Sequence, residues 1–143
     1  MRRMFLVVSG VALGVVLIVP MTVVRAEQAQ DAAVIDKTMK AVGPAFGAAR
    51  KAIGAGMMAE AKTSAETLSK AFVETEAFFK SHGKADGVEL AQAAKKASDA
   101  MAAAANAEAA NAAAGELGKT CAGCHATYRD KAADGTYSFK PGA

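Results

Sequence analysis

The residues best suited to chemistry lie near the carboxy terminus, in the run Cys121-Ala122-Gly123-Cys124-His125. Two thiols three residues apart stand about one helical turn from each other, and an imidazole follows at once. This is the C-x-x-C-H spacing of covalent haem attachment. The spacing suits addition of Cys121 and Cys124 to the two vinyl groups of one porphyrin, with His125 carried under the iron as proximal ligand. Two other chemistries use the same residue types. A Cys-x-x-Cys pair serves as a thiol–disulfide centre in a thioredoxin-like setting of strand and helix, but no alternating strand pattern runs through residues 27–143. A zinc site would have to recruit His82 together with His125, and these are the only two histidines, so it would have no spare ligand.

Helices must position this run, because helical periodicity dominates the chain. Ile35, Met39, Val42, Phe46, Ala49 and Ile53 recur at alternating spacings of four and three. Met58, Ala61, Ala65, Leu68, Phe72, Thr75 and Phe79 continue the rule in a second segment. Val88, Ala91, Ala94, Ser98, Met101 and Ala105 form a third stripe, and Leu117, Cys121, Cys124 and Tyr128 a fourth. Near-heptad stripes pack helices at shallow angles, which predicts an all-α, antiparallel four-helix bundle with the C-x-x-C-H run on its last helix. Gly54 and Gly56 mark the first turn, and His82 to Gly87 the second. The alanine-rich run 102–114, interrupted by Asn106, Glu108 and Asn111, holds the third. Asp31 and Asp86 are the expected N-caps of helices one and three. Pro44 removes a backbone donor and predicts a bend or an early end in helix one. Asp134-Gly135 reads as a turn, and residues 134–143 as an extended tail that folds back over the bundle or frays.

The amino terminus supplies context. Arg2 and Arg3 precede an almost wholly apolar stretch from Phe5 to Val24, closed by Val24-Arg25-Ala26. This is the layout of a secretory signal peptide cleaved after Ala26. A retained membrane anchor is the alternative, since the stretch is long enough to span a bilayer. No cysteine follows it to carry a lipid. The chain has 17 Lys+Arg against 14 Asp+Glu. Removing residues 1–26 takes away Arg2, Arg3 and Arg25 and leaves a formally neutral domain over 27–143. Neutrality argues against nucleic-acid binding and against a one-signed steering field. With no tryptophan and few aromatics, a core of small side chains would be thin, and a buried porphyrin would fill it.

The element Cys121-Ala122-Gly123-Cys124-His125-Ala126-Thr127-Tyr128-Arg129 resembles the C-x-x-C-H-x-x-[YF]-R signature of class II cytochromes c, the cytochrome c′ family. The resemblance extends at pattern level over most of residues 27–143: an exported four-helix bundle with its haem on the last helix. It implies one covalent haem c, thioethers at Cys121 and Cys124, and axial ligation by His125. It also places Arg129 beside the proximal histidine and the haem propionates, one helical turn beyond His125. Tyr128, Val42, Phe46 and Leu117 become haem neighbours, with Tyr128 a packing residue.

The family divides on the sixth iron position, which helix one supplies. In the segment Ile35 to Gly43, Met39 falls there, and the resemblance implies a low-spin member with methionine as sixth ligand. Met39 also lies on the apolar stripe, where methionine ordinarily fills gaps in a core. Met57, Met58 and Met101 are alternative donors, Met58 first, and His82 a remote one. The expected function is periplasmic electron transfer with other redox proteins as partners. The other reading is a gas-binding protein, taking nitric oxide or carbon monoxide at an open or displaceable sixth position. No His, Arg or carboxylate near Met39 shares its inward face to assist peroxide cleavage, so an enzyme is not expected. After signal cleavage no membrane span is expected, and the alanine-rich outer faces are compatible with a homodimer.

Overall fold

The computed structural model describes residues 21–131, 133 and 137–140, with side chains from Ala33 onward. Most of the expected signal segment, residues 1–20, and the Asp134-Gly135 turn lie outside the described residues. Four helices account for nearly all of the rest: α1 (Met21–Gly54), α2 (Met58–Ser81), α3 (Ala85–Ala102) and α4 (Ala107–Tyr128). A two-stranded antiparallel hairpin follows, β1 (Arg129–Lys131) paired with β2 (Tyr137–Phe139). Connections of a few residues turn each helix back on the one before. The helices close a ring in which α1 meets α2, α2 meets α3, α3 meets α4 and α4 returns to α1. The α1–α4 seam is the most open of the four. No helix among the described residues is long and apolar enough to cross a membrane.

The stripes are buried as the periodicity requires. Ile53, Leu68, Phe79, Met101 and Leu117 are the largest fully buried apolar side chains. Alanines with no exposed surface, at positions 49, 61, 65 and 110, line the space between them. Small side chains at the seams let the helices approach closely. Ala105 departs from its stripe and is exposed, because α3 ends at Ala102. Two polar contacts tie α2 to α3: Ser69 Oγ donates to Asp99 Oδ1 at 2.6 Å, and Gln92 Nε2 donates to Glu76 Oε1 at 2.8 Å.

The core is divided in two along the axis. A main cluster runs from Val42 through Ala49, Ile53, Leu68, Met101 and Ala110 to Leu117. A second closes one end of the bundle with Ile35, Phe78, Phe79, Ala91 and Tyr128. The second cluster is largely aromatic. Phe79 meets Phe78 edge-on at 5.5 Å between ring centroids and Tyr128 at 4.6 Å. Phe139 of β2 completes it, 5.5 Å from Tyr128 and 5.6 Å from Phe78.

Local capping differs from the expectation in two places. α1 passes through Asp31, so Asp31 is not its N-cap. The N-cap of α3 is Lys84, and Asp86 lies in the first helical turn with its carboxylate engaged elsewhere. Asn106 does cap α4, its side chain accepting the Ala109 N–H at 2.9 Å. Pro44 does not end α1, which continues to Gly54. Pro44 is exposed, so the carbonyl that loses its donor lies on the solvent side of α1. Gly56 and Gly83 take positive φ, 73° and 66°, at the two turns that lead into α2 and α3.

Gly87 has a different role. It is buried in the first turn of α3, and a Cβ there would stand inside the Phe79 ring. Phe79 is only 1% exposed and is flanked by Phe78, Tyr128 and Phe139, so it cannot retreat. Alanine gains about 1 kcal/mol in a helix interior over glycine, whereas overpacking costs about 1–3 kcal/mol. Overpacking wins here because the obstructing atoms belong to a fixed ring. Gly87→Ala is therefore expected to destabilise the bundle by about 1 kcal/mol or more, read as a lowered Tm. A raised Tm would show that the aromatic end repacks freely.

Candidate functional site

Residues 121–125 occupy the last two turns of α4. Tyr128 fixes how that stretch is turned about its axis. Its ring is 3% exposed in the aromatic cluster, and its hydroxyl donates to Asp86 Oδ1 at 2.6 Å. Leu117, with no exposed surface, anchors the same face about three turns earlier in the main cluster. Between these anchors the cysteines follow one face at three- and four-residue spacing. Cys121 packs on the main cluster, and Cys124 on the aromatic one. Both thiols are free and half-buried.

Met39 of α1 packs against both clusters. It therefore stands at the same height along the bundle as the cysteine pair, across the open α1–α4 seam. The other methionines with described side chains do not. Met58 begins α2, and Met101 precedes the end of α3 by one residue, so both lie at the opposite end of the bundle. Met57 is exposed in the loop before α2. Met39 is about 15 residues, or ~20 Å along a helix, from that end. His82 does lie at the cysteine end, but it terminates α2. It stacks on Phe78 at 4.3 Å between centroids, and its Nδ1 is 2.7 Å from the Phe78 carbonyl oxygen. Val42 is buried in the main cluster, and Phe46 is half-buried beside it.

His125 turns the other way. With Cys121, Arg129, Asp130 and Lys131 it lines a shallow, open hollow of about 620 Å³ on the outer side of α4. Small residues, Gly118, Ala122 and Ala126, form the floor, and Tyr137 of the hairpin borders it. Neither Met39 nor Cys124 lines this hollow. Arg129 does not continue the helix as the resemblance implies. It is the C-cap, with extended φ and ψ of −107° and 129°, and begins β1. Its guanidinium nevertheless reaches the hollow's rim, with Cζ 4.0 Å from the centroid of the Tyr137 ring.

The tail folds back rather than fraying over its described part. Arg129 pairs with Phe139, and Lys131 with Tyr137. The Lys140 N–H donates to the Tyr128 carbonyl at 2.9 Å, and Lys140 Nζ to the Ala126 carbonyl at 2.6 Å. The sequence signals an extended tail after a turn, but not that this tail pairs with residues 129–131, because each strand is only three residues long.

Electrostatics favour neutral groups. Burial pushes the Cys121 thiol up, and burial together with the neighbouring Cys121 pushes Cys124 to about 11. Burial first and the Arg129 charge second hold His125 below the usual imidazole range, leaving its ring neutral at pH 7. A neutral imidazole with a free lone pair is the form that binds a metal. Raised thiol values are the reverse of a thiol–disulfide centre, which depends on a stabilised thiolate. Among the described residues no group of three or more His, Cys, Asp and Glu could hold a metal ion, so a zinc site has no ligand set there. Two free thiols three residues apart, an adjacent neutral imidazole and an arginine at the rim are the groups a covalent haem would use, while the Met39 thioether lies across the seam on the core side, outside the hollow that His125 lines. No family model, no curated protein and no solved structure matches this chain.

Tyr128 is likewise raised, to about 12, by burial and by its bond to Asp86. Both Cys124 and Tyr128 hold their protons more tightly folded than unfolded. Their contributions are complete below the ordinary values and disappear as pH rises through about 11 and about 12. The haem-free bundle is therefore expected to lose stability progressively above about pH 9. At neutral pH, Cys124 in the folded chain should react with iodoacetamide on the order of 100-fold more slowly than in urea. Mass analysis of the alkylated peptide reads the rate. Equal rates in the two states would refute the burial that raises the thiol.

Proposed function

We propose that this protein is an exported monohaem c-type cytochrome of the cytochrome c′ kind, acting as an electron carrier in the periplasm. The observation that carries the reading is the placement of Met39 at the height of the C-x-x-C-H run, on the facing helix of the most open seam. Cys121 and Cys124 form the thioethers. Each S–H adds across a vinyl double bond, sulfur bonding one carbon and hydrogen the other, with no oxidant and no leaving group. His125, through its neutral ring, and Met39, through its thioether, would hold the iron. When bound, haem supplies one-electron chemistry between ferrous and ferric iron, and thioether ligation favours the reduced state. The apolar clusters on either side hold Met39 in place, half-buried between them. Redox proteins are the partners, reached through the outer side of α4.

A second reading has its own support. Met39 packs with core side chains and does not border the hollow that His125 shares. A Met39 retained by the core would leave the sixth position open to carbon monoxide or nitric oxide, and the protein would then bind gas rather than carry electrons.

Optical spectra of the mature protein separate the two. Sharp low-spin bands with a methionine-to-ferric charge-transfer feature, unmoved by carbon monoxide, are expected. A broad high-spin spectrum that shifts with the gas would select the second reading. Met39→Ala is expected to convert the low-spin iron to a high-spin, carbon-monoxide-binding form. An unchanged spectrum would assign the distal position to another residue. Replacing both Cys121 and Cys124 by Ala should make all haem extractable with acid acetone. Retention of extraction-resistant haem in that variant would sink covalent attachment.

A further inference from the structure

The hairpin residue Tyr137 has no place in the ligand set, yet it is built into the site. Arg129, Lys131, Tyr137 and Phe139 alternate onto one face of the hairpin and residues 130 and 138 onto the other, and Asp130 also borders the hollow, so the two cations there are offset by one carboxylate. Phe139 is docked in the aromatic cluster, and Lys140 is bonded to two carbonyls near the end of α4, so the hairpin is fixed to the helix. On this fixed frame the Tyr137 ring, 53% exposed, is flanked by two cations: Arg129 at 4.0 Å and Lys131 at 5.7 Å from its centroid. Arg129 lies diagonally across the ladder from Tyr137, within reach of a long side chain.

The Arg129 guanidinium makes no hydrogen bond or ion pair with any described residue. A cation over a ring face keeps its N–H edge free. An arginine held by an aromatic ring, with its donors unused, on the rim of a hollow shared with Cys121 and His125, is prepared for a planar anion. We infer that Tyr137 is a positioning residue, holding Arg129 at the rim so that its donors meet a carboxylate of the porphyrin docked against His125. This inference rests on the haem reading and adds to it a residue outside the C-x-x-C-H element.

The test uses the haem-free mature chain and two metal-free porphyrins: protoporphyrin, with its two free carboxylates, and its dimethyl ester. Binding is read by fluorescence titration. The unaltered chain should prefer the acid by about tenfold. Tyr137→Phe keeps the ring and should keep that preference. Tyr137→Leu keeps both cations but removes the ring, and should reduce the preference to about twofold or less. Unfolding curves of both variants should overlay the parent, since Tyr137 is exposed and Phe139 carries the docking. A preference undiminished in Tyr137→Leu overturns the positioning role. Equal binding of acid and ester by the parent overturns it too and leaves the haem reading standing. Failure of the parent to bind either porphyrin overturns both.

Discussion

The burial of Tyr128 is the constraint on which the site depends. A helix packed through alanine and glycine can rotate about its axis at little cost, because small side chains interlock weakly. α4 is such a helix, with Leu117 as its only fully buried large side chain. Tyr128 removes that freedom. Its ring is enclosed by Phe79 and Phe139, and its hydroxyl can reach Asp86 only in one orientation. Cys124 and His125 are one turn away, so the bond between α4 and α3 determines which face carries the thiols and which the imidazole. An unpaired hydroxyl at this depth would cost about 1–3 kcal/mol, so the hydrogen bond selects this arrangement over its rotated competitors.

The same bond explains which parts of the fold were legible in the sequence. The four stripes and the glycine turns are local patterns, and the helices follow them closely. Asn106 caps α4 through the N–H of Ala109, only three residues on, and could be read as a cap-forming residue in an alanine run. Asp86 could not be read correctly, because its partner lies 42 residues away. A cap rule assigns the carboxylate to nearby backbone, while the tertiary structure gives it to Tyr128. The extended tail could be read, but its pairing with residues 129–131 could not, for a related reason: what fixes it is Phe139 on the aromatic cluster and Lys140 on α4, neither visible in a three-residue strand.

At the site, the residues that bear chemistry were legible by type and spacing, and their surroundings only in part. Met39 lies on a stripe that any core methionine could occupy. Its distinction from Met58 and Met101 appears only when the bundle's direction places those two at the far end. Arg129 illustrates the opposite case. Its expected helical position is replaced by an extended one, yet it still reaches the rim of the His125 hollow, because β1 leaves α4 directly at that residue.

These placements divide α4 into two working faces. The inner face, Leu117, Cys121, Cys124 and Tyr128, belongs to the core and keeps its thiols protonated. The outer face, Gly118, Ala122, His125 and Ala126, is lined by small groups and meets the cationic hairpin. Cys121 belongs to both, since it packs on the main cluster and also borders the hollow. A flat group bonded through both cysteines must therefore span from core to rim, with apolar contacts at one edge and charged donors at the other. That polarity suits an amphiphilic macrocycle whose vinyl and carboxylate substituents lie on different edges. It does not suit a bare metal ion, which needs converging ligands at one point. The near-neutral balance of residues 27–143 fits this division, because it leaves the charge at the rim to the local arrangement of Arg129, Lys131 and Tyr137 rather than to a field of the whole molecule.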